Sequence, residues 1–146
     1  MNRLGTALLF LAFAVNAMGG LRHQESRNPA PSSFMTMTEA RQIGNLWVAM
    51  KPGQRAIRFI APTGSMLPIF DSRCILLVEK VTIADLRVND IVEYERVDGL
   101  MVMHRVAAIS DSAVIFSGDN NTRHDGWVSA SRIRWRVAVI MYTQRT

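Results

Sequence analysis

The chain has 146 residues, 17 lysines and arginines against 12 acidic residues, a formal charge of +5 and 49% hydrophobic residues. That length accommodates one domain, and the apolar share excludes a solvated, disordered chain. The single cysteine, Cys74, excludes an intramolecular disulfide and any multi-cysteine metal site.

All the basic residues except Lys51 and Lys80 are arginines, which keep their proton at working pH and cannot act as general bases. Base catalysis therefore falls to three histidines, the carboxylates or those two lysines. The arginines are dispersed, and Arg132, Arg134 and Arg136 recur with period two on one strand face. They form no clustered basic and aromatic surface, so no nucleic-acid partner is expected.

In chain order, Met1-Asn2-Arg3 leads into an apolar run over residues 4–18, broken only by Gly5, Thr6 and Asn16. Roughly 15 residues at ~1.5 Å each fall short of the ~30 Å hydrocarbon core. Residues 1–20 therefore read as a secretory signal peptide or a short membrane anchor, with Val15-Asn16-Ala17 offering small or β-branched residues for cleavage after Ala17. The flanking Arg3, Arg22 and Arg27 set no orientation. A polar, proline-containing linker follows over 21–35. Thr36-Met37-Thr38-Glu39 is a capping-box pattern that opens a short amphipathic helix through Met50. Its apolar face is expected to carry Ala40, Ile43, Trp47 and Met50, and Pro52-Gly53 ends it. Core packing is the plain reading of that face, and contact with a membrane surface is the second.

The rest of the domain, 36–146, reads as strands over 55–61, 74–79, 90–96, 100–109, 113–117 and 134–142, rich in Val and Ile and separated by turn residues. Short strands without intervening helices predict a mainly β fold, an antiparallel barrel or sheet.

Polar residues interrupt these strands in three places. In Pro62-Thr63-Gly64-Ser65-Met66-Leu67-Pro68, a serine follows glycine on a turn between two prolines, where its hydroxyl can be displayed. In Met101-Val102-Met103-His104-Arg105-Val106, a histidine lies within an apolar strand. A hydrogen-bonded core role is its plain reading; beside a displayed serine, its reference pKa of ~6.5 suits a general base. The third place, residues 117–126, gathers Asp119, Asn120, Asn121 and Asp125. An Asx-rich turn is the plain reading there, and the intrusion of Arg123 disfavours a calcium site. Together they supply a nucleophile, a base and an acid in the order Ser65, His104, Asp125, the set that acyl transfer needs. No cofactor and no metal is expected.

The same segments resemble the type I signal peptidases. Thr63-Gly64-Ser65-Met66-Leu67-Pro68 is similar to that family's Ser-Gly-Ser-Met-x-Pro box, and Val88-Asn89-Asp90-Ile91-Val92 to its Gly-Asp-Ile-Val strand. Met103-His104-Arg105-Val106 resembles the His-Arg-Val of the archaeal and endoplasmic-reticulum type, where bacterial relatives usually carry lysine. Gly118-Asp119-Asn120-Asn121 with Asp125 resembles that type's Gly-Asp-Asn-Asn box and distal aspartate, and Ile133-Arg134-Trp135-Arg136-Val137 its closing Ile-x-Gly-Arg-Val strand.

The resemblance implies a signal-peptidase-like fold behind an N-terminal hydrophobic helix, with Ser65 as nucleophile, His104 as base and Asp125 as third member. Asp119 would support the site loop, and Thr63 would form the oxyanion hole with the Ser65 N–H. It further implies a membrane-associated endopeptidase acting on exported precursors outside the cytoplasm. A dedicated processing peptidase for one secreted or pilin-like substrate, or a degenerate peptide-binding member of the fold, are the rival expectations. Four positions depart from the pattern: Asn89 and Trp135 replace glycines, and Arg73-Cys74 stand where Gly-Asp is usual.

Overall fold

The computed structural model describes residues 35–144. The expected signal or anchor segment over 1–20, and the linker up to residue 34, lie outside the described residues. Within them, no helix is long and apolar enough to cross a membrane.

Helix α1 (Met37–Met50) begins as its sequence dictates: the Thr36 hydroxyl accepts from the Glu39 N–H, and the Glu39 carboxylate accepts from the Thr36 N–H. Seven strands follow, β1 (Arg55–Phe59), β2 (Cys74–Lys80), β3 (Ile91–Glu95), β4 (Met101–Ile109), β5 (Ala113–Ser117), β6 (Trp127–Ser129) and β7 (Ile133–Tyr142). They form one antiparallel sheet in the order β1-β2-β7-β3-β4-β5-β6. The mainly β expectation holds, as an open sheet with β1 and β6 as its edges rather than a closed barrel. β6 escaped the sequence reading because three residues are too few to display a period.

The alternation within the strands sorts side chains to opposite faces of the sheet. Val92, Tyr94, Val106, Val114, Phe116 and Ile133 form one core cluster. On the other face, Ile91, Leu76 and Val78 pack with Met66 and Phe70 from the loop after β1. β2 is apolar at successive positions because both its faces are covered: Cys74, Leu76 and Val78 join that second cluster, while Ile75 and Leu77 lie beneath α1 with Ala40 and Met141.

The helix differs from expectation in its rotation. Ala40 and Gly44 are the buried residues, Trp47 donates to the Val78 carbonyl, and Ile43 and Met50 are 41% and 70% exposed. Gly44 accounts for this, since a Cβ there would lie 2.6 Å from Ile57 Cδ1. The absent side chain lets the helix backbone seat directly on β1, and that seating selects the buried face.

Asn89 takes φ 81°, the left-handed conformation that asparagine tolerates better than most side chains. Trp135 fills space in the second cluster, with the Arg58 guanidinium 5.3 Å above its ring. Cys74 is 2% exposed, and burial pushes its thiol up, which suits an inert core side chain. Arg73 pairs instead with Asp71 two residues before it.

Candidate active site

The serine lies on a turn that its sequence builds. Gly64 takes φ 71°, which the following residues exploit: the Leu67 N–H donates to the Gly64 carbonyl, and the Ile69 and Phe70 N–H groups donate to the Met66 carbonyl. Met66 and Phe70, each 2% exposed, anchor the turn in the core and leave Ser65 at its surface. Ser65 Oγ lies 3.4 Å from Thr63 Oγ1, and the Ser65 N–H points at the same Thr63 oxygen from 3.5 Å. The Thr63 hydroxyl thus lies beside both the Ser65 hydroxyl and the Ser65 amide.

His104 sits on β4 opposite Val92 of β3, on the face that carries Tyr94 and Val106. It is 6% exposed, and its Nδ1 lies 2.5 Å from Asp125 Oδ2. The Tyr94 hydroxyl donates to the same carboxylate oxygen over 2.8 Å. Burial, then this bond to Asp125, push the Tyr94 phenol far above its ordinary value, so it remains a donor throughout the working pH range. Tyr94 is itself stacked on Phe116, with 4.2 Å between ring centres. Asp125 is therefore oriented from two sides, and its bond to Nδ1 leaves the other imidazole nitrogen, Nε2, for the serine.

The loop after β5 joins these parts. The Asn120 N–H donates to the Ser65 carbonyl over 2.7 Å, and the Asp125 N–H donates to the Phe116 carbonyl over 2.9 Å. Both Asp119 oxygens are taken by Arg105, at 2.7 Å each, and Arg105 also donates to the Asn89 carbonyl. The Asp119 carboxylate pushes the Arg105 guanidinium further up. Gly118 is needed at the start of the loop, because a Cβ there would lie 2.7 Å from the Ser65 carbonyl oxygen.

Ser65, Thr63 and His104 line one cavity of about 410 Å³, together with Phe59, Ile60, Ala61 and Met101–Met103 among others. No direct hydrogen bond joins Ser65 to His104 among the described residues; the two groups face a shared space. All five expected site residues thus fall in one neighbourhood, with Asp119 bracing the loop through Arg105. Sequence reasoning missed Tyr94 and assigned no role to Arg105, although both lie on the strands that carry the quoted motifs. Among the described residues, no group of three His, Cys, Asp or Glu is placed to hold a metal ion.

A displayed hydroxyl, an imidazole backed by a carboxylate and clustered donors beside the hydroxyl are the parts of nucleophilic acyl transfer. Comparison with known proteins gives no matching family model, no matching curated protein and no matching solved structure.

Proposed function

We propose that this protein is a membrane-associated serine endopeptidase that removes signal peptides or similar segments from exported precursors, as its resemblance to the type I signal peptidases implies. The observation that carries the reading is the convergence of Ser65, His104 and Asp125 from separate segments, with the 2.5 Å His104–Asp125 bond beside a cavity that holds the serine.

In this reaction His104 Nε2 takes the Ser65 proton as the hydroxyl oxygen attacks the scissile carbonyl. The Ser65 N–H and Thr63 hydroxyl stabilise the developing oxyanion, and the imidazolium returns the proton to the leaving amine. Water, deprotonated by the same imidazole, then hydrolyses the acyl-enzyme. Asp125 holds the tautomer and steadies the imidazolium charge, with Tyr94 holding Asp125.

The cavity suits an extended polypeptide. The end of β1, an edge strand, borders it on one side. On the other, Met101–Met103 of β4 precede the stretch that β5 covers, which starts at Arg105. Backbone groups at both borders can hold a substrate strand. The apolar N-terminal segment would keep the catalytic domain at the membrane, on its extracytoplasmic side.

The test is cleavage of an exported precursor by the full chain, by Ser65→Ala and by His104→Ala. Loss of cleavage in both variants supports the mechanism, and unchanged cleavage in either overturns it. A parent that binds the precursor without cutting it would make the protein a peptide-binding member of this fold.

A further inference from the structure

The rotation of α1 leaves it with a second apolar stripe. Ala40, Gly44 and Trp47 face the sheet, while Ile43, Leu46 and Met50, spaced i, i+3 and i+7, are 41%, 68% and 70% exposed. A helix that only covered a core would carry polar side chains on that face.

The charges around the stripe are of one sign. Between Glu39 and Asp71 the sequence holds no acidic residue. Both lysines of the chain lie at the C-terminal end of the helix: Lys51 caps it, and the Lys80 N–H donates to the Gln54 carbonyl in the turn that follows. Both are exposed, as is Arg41, and none of the three enters an ion pair among the described residues. Glu39, on the first turn, is held by the Thr36 cap, and Glu79, beside Lys80, pairs with Arg136.

Apolar side chains flanked by unpaired cations fit an anionic lipid surface. Leu46 and Met50 can enter the acyl boundary, with the lysine stems along it and their ammonium groups among the headgroups. In the reading above, the apolar stretch over 4–18 holds the chain at a membrane, and a linker as short as 21–35 reaches at most ~50 Å. The same bilayer is therefore always within reach of α1.

Resting on that membrane-associated reading, we propose that α1 is a second membrane contact, which docks by its C-terminal half on the headgroup region of an anionic bilayer. β1 leaves this end of the helix at Arg55 and finishes at Phe59, which lines the cavity that holds Ser65. Its residues span roughly 13 Å, so docking holds the cavity within about one strand length of the docked end.

The test uses the full chain carrying Leu46→Cys or, as control, Ser112→Cys on the exposed β4–β5 turn. Each is labelled with the environment-sensitive fluorophore NBD; the native Cys74 is buried. The labelled chains are mixed with vesicles of phosphatidylcholine and phosphatidylglycerol, with and without brominated acyl chains, and association is read by flotation. The label at position 46 is expected to lose about half its emission to brominated lipid, and the label at 112 none. Vesicles of phosphatidylcholine alone are expected to reduce that quenching about twofold, and so is Lys51→Gln with Lys80→Gln on the anionic vesicles. A label at 46 that is blue-shifted but unquenched means that a second copy or the N-terminal segment covers the stripe, and overturns the proposal. So does equal quenching at both positions, or quenching indifferent to lipid charge. Flotation keeps the two readings apart: a chain that floats with an unquenched label sinks the α1 contact alone, and a chain that does not float sinks the membrane-associated reading with it.

Discussion

His104 Nδ1 and Asp125 Oδ2 are 2.5 Å apart, and the Tyr94 hydroxyl holds the same oxygen from the other side. Two strands and a loop thereby fix one imidazole. Asp125→Asn is expected to lower kcat by about 10³- to 10⁴-fold, because an amide can hold the wrong tautomer and cannot balance the imidazolium. Tyr94→Phe keeps the stacking on Phe116 and removes only the donor, with an expected loss of about tenfold in kcat and about 1 kcal/mol of stability. Steady-state kinetics and denaturant unfolding check both; an unaltered kcat in Asp125→Asn would reduce the triad to a dyad.

Gly118 is expected to tolerate no side chain. In Gly118→Ala, the new Cβ collides with the Ser65 carbonyl oxygen at 2.7 Å, and either the serine turn or the loop must move. The expected cost is about 1–3 kcal/mol of stability and about 10²-fold in kcat, since small misplacement of a nucleophile is expensive. A variant with parental kinetics would show that the turn and loop are not coupled.

Thr63 separates hydroxyl chemistry from shape. Thr63→Val keeps the volume and removes the donor beside Ser65, for an expected ~3 kcal/mol loss of transition-state stabilisation, read in kcat rather than KM. Thr63→Ser is expected to retain most of the activity. Equal activity of the valine and serine variants would remove Thr63 from the oxyanion site.

The helix cap carries a pH signature. The Thr36 backbone N–H, followed by its hydroxyl, holds the Glu39 carboxyl below the usual carboxylate range. A depressed folded-state pKa gives a contribution that is fully present above the unfolded value and is lost as pH falls through the folded value. Glu39→Gln preserves the capping pattern but does not titrate. Its stability deficit relative to the parent is therefore expected to shrink as pH falls through the ordinary glutamate value of ~4.3 and on through the lower folded-state value. A deficit that stays constant across that range would contradict this, as followed by thermal unfolding.

Much of the candidate site is legible in the sequence alone. The glycine-serine turn, the histidine inside an apolar strand and the Asx-rich loop are local patterns, and the sheet brings all three together. The capping box is equally local. Less legible were the partners that hold the site. Tyr94 bonds to a residue 31 positions away, Arg105 to one 14 away and Arg58 to one 35 away. No sequence period connects such pairs, so their roles emerge only from the strand register.

The scarcity of lysine narrowed the candidate bases mainly to histidines and carboxylates, and alternating apolar residues set the strands; these follow from side-chain chemistry and the two-residue period of a strand. Which helix face would be buried did not follow from periodicity, because Gly44 let the backbone approach Ile57 and left Ile43 and Met50 outside. The same holds for Glu93. In sequence it is one more charged residue on a strand, and only the fold brings Arg58 of β1 to one of its oxygens and buries the other.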